Sequence, residues 1–266
     1  YTEQDAERAL KLLRPIELHN RIEIVTGMTL QLRGAGHILG AATVEVVADG
    51  VTLVCSGDLG RPDDPLMFAP ETSEQADYLL VESTYGDRKH PAELPEEQLA
   101  DVITRTALRH GITLVPSFAV GRAQLLMYHL YRLKQQHLIP DVPIYLNSPM
   151  ATDVTTLYQR FRSEHRLTAQ ECEGMCHVAK FVRTTEDSIR LDQQRTPAVI
   201  IAASGMATGG RVIHHLKALA PNPINTLLVP GFQAGGTRGA QIVAGAPSVR
   251  IHGKEVPIRA EVVPMP

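Results

Sequence analysis

Apolar residues recur along this chain in two rhythms, and the change from one to the other divides it. From Ile22 to Val47 they alternate as strands do, interrupted by the glycine-rich stretch Gly34-Ala-Gly-His37-Ile-Leu-Gly40. The Asp49-Gly50 pair predicts a tight hairpin between strands 43–48 and 51–55, a strong signal between two such runs. A further apolar run, Tyr78-Leu-Leu-Val81, predicts a buried strand. Ahead of these, Ala6, Leu10 and Leu13 fall on one helical face, which predicts a helix over 3–13 that ends before Pro15.

After Gly86 the texture changes. Residues 87–97 are polar and carry Pro91 and Pro95, the composition of a linker or of the start of a new unit. Helix and strand then alternate: helix 97–109, strand 113–116, helix 121–136, strand 144–147, helix 151–162, strand 198–203, helix 210–220, strand 226–229, a short helix near 238–244, and a last strand 256–263. That order predicts a mainly parallel sheet covered by helices on both faces. The fold class is therefore α/β, a β-rich layer followed by an open α/β sheet.

Four strands of the second region run into loops of one design. They are Ser117-Phe-Ala-Val-Gly-Arg122, Asn147-Ser148-Pro-Met150, Ser204-Gly205-Met-Ala-Thr208-Gly-Gly210-Arg211 and Gly231-Phe-Gln-Ala-Gly-Gly-Thr237-Arg238. Ligands of open α/β sheets bind beside the carboxyl ends of the strands, and helix starts there offer free N–H groups to an anion. Arg122, Arg211 and Arg238 fall at such starts. Tight turns with solvated arginines would explain any single loop; four of one kind favour an anion, and a string of phosphates would suit them.

Composition narrows this only a little. With 266 residues, 44% hydrophobic and 21% charged, the chain is large enough for one big domain or two ordinary ones. No apolar run approaches the roughly 20 residues that span a bilayer. Three cysteines give no disulfide framework, which makes a reducing cytoplasm the expected location. A net charge of −3 means that attraction to a nucleic acid must come from a local cluster. The chain begins with Tyr1 rather than Met, which suggests an excised piece.

Candidate chemistry concentrates between Gly34 and Gly86, where successive strand ends place His37, Asp58 and Glu82 in glycine-flanked loops. Imidazole and carboxylate are the ligands of hydrolytic zinc, and a carboxylate can bridge two ions. Singly, such a His or Asp is more often structural. Two ligands do not hold a catalytic zinc, and the sequence contains no His-x-His-x-Asp-His cluster. Glu82 could orient a catalytic histidine or simply anchor its own turn. Cys172 and Cys176, near His165 and His177, share one helix face but lack a second pair to complete a zinc site, so packing is the better expectation. Of the neighbours His214 and His215, one should face the loop crevice.

Together these stretches resemble a known family. Gly-His37-Ile-Leu-Gly-Ala, Ser-Gly-Asp58-Leu-Gly-Arg and Glu82-Ser-Thr-Tyr-Gly are similar to motifs of the RNA-processing β-CASP branch of the metallo-β-lactamase superfamily. So are Pro116-Ser-Phe-Ala-Val-Gly-Arg-Ala-Gln124, Ser148-Pro-Met-Ala151, Ala203-Ser-Gly-Met-Ala-Thr-Gly-Gly-Arg-Val212, His214-His-Leu and Gly231-Phe-Gln-Ala-Gly-Gly-Thr237. The resemblance implies a partial lactamase-like domain over 1–88 and a β-CASP domain over 89–266, with residues 257–266 as a candidate return strand to the first. It implies that His37 and Asp58 are metal ligands, with Asp58 bridging two Zn²⁺ ions, and that Glu82 pairs with a catalytic histidine. It implies hydrolysis of RNA phosphodiesters, as an endonuclease and in some members also an exonuclease. Phosphate-binding candidates are then Arg122, Ser148, Ser204, Gly205, Gly210, Arg211, His214, Thr237 and Arg238. The family's first metal cluster should precede His37 and two histidine motifs should follow the last strand; neither is present. A piece truncated at both ends, inactive alone, is the expectation. A non-catalytic RNA-binding or scaffold relative is the alternative, and the large second region disfavours a hydrolase of small substrates. RNA is the expected partner, no membrane is expected, and a homodimer is left open.

Overall fold

The computed structural model describes residues 2–73, 75–87 and 95–265, so residues 88–94 of the expected linker lie outside the described residues. The chain forms two compact units, Tyr1–Asp87 and Arg88–Pro266.

The first unit carries helix α1 (Glu3–Leu10) and strands β1 (Ile22–Val25), β2 (Met28–Gly34), β3 (Ala42–Ala48), β4 (Val51–Cys55) and β5 (Tyr78–Leu80). They form one sheet in sequence order, antiparallel through β4, with β5 parallel to β4. Asp49 and Gly50 both take positive φ, 51° and 76°, which matches the turn twist to the strand twist and pairs Ala48 with Val51. On β3, Glu45 is buried and is paired with Arg21 and Arg33, so its charge is compensated. Two expectations fail here. The first helix stops at Leu10 and buries no residue, with Leu13 exposed. The 78–81 run is a strand but not a buried one: Tyr78, Leu79, Leu80 and Val81 are all between 59% and 67% exposed, on an edge strand.

The second unit is a six-stranded, wholly parallel sheet of β6 (Ile112–Pro116), β7 (Ile144–Asn147), β8 (Lys180–Phe181), β9 (Ala198–Ala202), β10 (Thr226–Pro230) and β13 (Glu261–Met265). Its order is β13-β10-β6-β9-β7-β8. A separate hairpin joins β11 (Ser248–Ile251) to β12 (Lys254–Pro257). Its helices are α2 (Pro95–Leu108), α3 (Arg122–Gln135), α4 (Pro149–Arg160), α5 (Ala169–His177), α6 (Thr185–Asp192), α7 (Val212–Leu219) and α8 (Arg238–Val243).

Every residue of β6, β9 and β10 is buried. Successive strand residues point to opposite faces, so both faces must be covered. On one face Leu114, Ile200 and Leu227 pack with Val212, Leu216 and Leu219 of α7. On the other, Thr106 of α2 meets Thr226 through their hydroxyls at 2.6 Å. Removing one fully buried side chain here, such as Ile200, is expected to cost about 2–5 kcal/mol.

The expected strand 256–263 is two strands. The N–H of Ile258 bonds to Pro247 O, and those of Arg259 and Ala260 both bond to Ala220 O, so residues 258–260 leave the ladder. The chain then re-enters as β13, which pairs with β10 inside the second unit's own sheet.

Candidate active site and nucleic-acid interface

In the first unit, backbone packing brings the candidate ligands together. Gly36 has φ +64°, and a Cβ there would meet Phe68 O at 2.4 Å. A Cβ on Gly60 would lie 1.8 Å from Gly36 O, and the Gly60 N–H donates to Ala35 O at 2.8 Å. Only glycine permits so close an approach of the His37 loop to the Asp58 loop. As a result His37 Nε2 lies 3.8 Å from Asp58 Oδ2, with both side chains open to solvent.

Glu82 joins them. Its carboxylate accepts the Thr84 N–H at 2.8 Å and the Leu59 N–H at 3.4 Å, and Glu82 N–H donates to Ser56 Oγ at 3.0 Å. The Thr84 backbone and side-chain hydrogen bonds hold Glu82 below the usual carboxylate value of 4.5, helped by Leu59 and the field of His37 and opposed by partial burial. Two donors of one tetrahedral zinc lie about 3.3 Å apart, given bonds of about 2.0–2.1 Å. The His37–Asp58 separation of 3.8 Å is wider than that, so the pair would have to close by about 0.5 Å to take two positions of one zinc shell. Among the described residues no group of three or more His, Cys, Asp or Glu could hold a metal.

Cys172 and Cys176 are buried, and burial with the neighbouring Cys172 pushes the Cys176 thiol up to about 12. Nearby His165 bonds to Tyr158 O and His177 to Glu173 O. The pair packs.

The four loops of the second unit all lie at carboxyl ends of the parallel strands. Ser117–Gly121 follows β6, Ser148 follows β7, Ala203–Arg211 follows β9 and Gly231–Thr237 follows β10. Side chains knit them. Ser148 and Thr237 cap α4 and α8, accepting the N–H groups of Ala151 and Ala240 at 3.2 Å. Ser204 Oγ accepts from Gly209 N–H at 3.4 Å, and Gln233 donates to Gly205 O at 3.2 Å. Gly210, at φ +71°, would clash with Ala203 O at 2.4 Å if it carried a Cβ. The guanidinium of Arg122 lies against Gly231.

Two of the arginines expected to meet phosphates bond to neighbouring segments of the chain. Arg211 donates to Asn147 Oδ1 at 2.6 Å, Val182 O at 2.8 Å and Arg183 O at 2.6 Å. Arg238 donates to the carbonyls of Arg250, Ala207 and Thr208 at 2.6, 3.1 and 3.1 Å. Both act as braces between loops. By contrast, a Cβ on Gly209, Gly235 or Gly236 would meet only open space, so backbone is approachable at the rim.

Behind Arg211 lies a network that sequence reasoning missed. Arg211 can only donate, so the Asn147 carbonyl oxygen faces it. The Asn147 amide nitrogen then faces Ser188 Oγ at 2.7 Å and His215 Nε2 at 2.6 Å. His215 Nε2 must accept, which places the ring proton on Nδ1, 2.6 Å from Asp192 Oδ1. It is His215, fully buried, that reaches the strand-end loops. His214 is exposed, its ring 5.2 Å from that of His252. Adjacent helical residues point about 100° apart, so one of the pair had to face inward, but nothing local to the sequence chooses which.

Comparison with known proteins supports the resemblance. A family model described as the Beta-Casp domain matches residues 123–242. The chain is 40% identical to "Ribonuclease TTHA0252" of Thermus thermophilus over 97% of its own length and 61% of that protein. It is 32% identical to "Transcription termination factor FttA" of Thermococcus kodakarensis, over 96% of the chain and 41% of that protein. It is also 32% identical to "Endoribonuclease ysh1" of Schizosaccharomyces pombe, over 98% of the chain and 35% of that protein. Residues 123–242 form a β-CASP domain, and along nearly its whole length the chain is similar to β-CASP nucleases of the metallo-β-lactamase superfamily. It spans less than two thirds of the length of each of these relatives. The β-CASP match begins one residue inside α3 and ends within α8, so it takes in the loops after β7, β9 and β10.

Proposed function

We propose that this chain is part of a zinc-dependent ribonuclease that hydrolyses RNA phosphodiester bonds, and that its second unit holds the RNA. The observation that carries this is the set of four loops at neighbouring strand ends, which contain three arginines and no Asp or Glu. Bare glycine backbone at the rim lets a phosphate approach the chain closely. The ribonuclease and endoribonuclease relatives support the same substrate class.

His37 and Asp58 would hold zinc, with Asp58 able to bridge two ions; when bound, the metal supplies an activated hydroxide and charge stabilisation for phosphoryl transfer. Glu82, acceptor-only in its ionised form, orients a histidine. In this proposal Arg122 and the loop backbones meet phosphates, with Ser148, Ser204, Gly205, Gly210 and Thr237 shaping the loops. Arg211 and Arg238 keep them in place, and the exposed His214 meets the strand's flank. The protein works in the cytoplasm, and a homodimer is compatible with the scheme.

These 266 residues alone bind zinc weakly and do not turn over RNA, because the two convergent donors among the described residues do not retain a catalytic ion. Metal analysis after dialysis and a cleavage assay on labelled RNA test this. Substoichiometric zinc, no cleavage and salt-sensitive RNA binding are expected. One tightly held zinc per chain with cleavage above background would overturn the inactivity, and absence of RNA binding would overturn the function.

A further inference from the structure

We propose that Phe118 and Phe232 form a two-ring platform on which bases of single-stranded RNA stack beside the phosphate-directed loops. This deepens the RNA-binding reading of the second unit and rests on it.

The sequence repeats one local pattern at two strand ends. Pro116-Ser-Phe118 leads to Arg122, and Pro230-Gly-Phe232 leads to Arg238. Topology puts the two copies side by side. β6 and β10 are neighbours in the parallel sheet, with Thr226 opposite Thr113 and Leu227 opposite Leu114. β6 ends at Pro116 and β10 at Pro230, so Phe118 and Phe232 each lie two residues past the end of one of these neighbouring strands. One further residue ties the loops. A Cβ on Gly205 would lie 2.8 Å from Phe118 Cδ2 and 2.9 Å from Cε2, so the ring rests directly on Gly205. The carbonyl of that same Gly205 accepts the amide of Gln233, next to Phe232.

Exposure is what separates these rings from core. Every residue of β6 and β10 is buried, yet two positions later Phe118 is 46% and Phe232 41% exposed. Both rings sit among loops without a carboxylate and with arginines at the helix starts. An apolar peptide would gain nothing from that cationic setting. A polyanion with flat apolar faces matches both parts of it, and aromatic rings beside a basic track are how proteins hold single strands without reading sequence. The Pro, Phe and Arg spacing places ring and cation within one loop, as base and phosphate alternate along a strand.

The chain contains no tryptophan, so Phe118→Trp and Phe232→Trp each create a unique fluorophore. Labelled oligouridylate and a matched abasic oligomer serve as probes, with circular dichroism to check folding. Phe118→Ala and Phe232→Ala should each weaken oligouridylate binding roughly 5- to 50-fold while leaving the salt slope unchanged. Phe118→Leu, which keeps apolar bulk, should weaken it as Ala does. Phe118→Trp should hold affinity, and its emission should be quenched by oligouridylate but not by the abasic oligomer. Wild-type affinity in the Leu variant, or quenching absent from both Trp variants, would overturn the platform while leaving RNA binding in place. If the wild-type chain binds neither oligomer, the RNA-binding reading itself fails and the platform with it.

Discussion

The two loop clusters are built on opposite plans. In the first unit close backbone packing of Gly60 on Gly36, helped by Glu82 and Ser56, sets the loops, and His37 and Asp58 stand open to solvent 3.8 Å apart. In the second unit side chains hold the loops, through Asn147, His215, Arg211, Gln233 and Arg238, and glycine backbone faces open space at the rim. The difference matches two kinds of chemistry. Metal and proton chemistry needs particular side-chain atoms at fixed separations. A phosphate chain needs repeated N–H groups and positive charge, whatever its sequence.

The contrast can be broken first where it is strongest. Asn147→Leu removes the acceptor of Arg211 and both donors to Ser188 and His215, leaving buried polar groups without partners. Stability should fall by about 2–4 kcal/mol, read by urea unfolding, with the first unit's hairpin unaffected. A loss below about 0.5 kcal/mol, the range of ordinary surface changes, would mean the network is not what braces these loops.

A pair of glycine substitutions sharpens the comparison. Gly60→Ala forces a Cβ to 1.8 Å from a carbonyl oxygen and should cost about 1–3 kcal/mol. Gly209→Ala meets open space and should stay within about 0.5 kcal/mol, while hindering close approach of a ligand to that backbone. Thermal unfolding of the two variants side by side checks the ordering; equal effects would remove the distinction.

The smallest effect is electrostatic. Glu82 is held below its usual value of 4.5, chiefly by the Thr84 backbone N–H, then by the Thr84 side chain. A depressed carboxylate contributes stability above its unfolded value, and that contribution is lost as pH falls from about 4.5 through the lower folded value. Thr84→Val removes only the hydroxyl. The Glu82 titration followed by NMR should therefore rise part of the way and remain below 4.5. A full return to 4.5 would assign the shift to the hydroxyl alone.

Much of the scaffold was legible because its signals are local. The Asp49-Gly50 turn and the apolar runs of β6, β9 and β10 appear as read, while the strand–helix alternation left out α5, β8 and α6 before β9 and the β11–β12 hairpin after α8. What failed was non-local. Tyr78–Val81 has the composition of a buried strand, but composition does not say what covers it. The run 256–263 looks continuous until Ala220 O draws two of its N–H groups out of the ladder. At the sites, His37, Asp58 and Glu82 could be picked out as candidates from their glycine-flanked loops, and His37 does lie 3.8 Å from Asp58. The partners of Asn147, which come from helices 41 and 68 residues away, were not. Arginine at a helix start likewise reads the same whether it meets a phosphate or a neighbouring carbonyl.

The most direct measurement compares the salt dependence of RNA affinity in Arg122→Gln and Asp58→Asn. Each phosphate neutralised on a single strand contributes a slope of about −0.7 in log affinity against log salt. Arg122→Gln should reduce the slope by about that amount while Asp58→Asn leaves it unchanged. Equal slopes in wild type and Arg122→Gln, with a change in Asp58→Asn, would place phosphate recognition in the first unit and contradict the division drawn between the two.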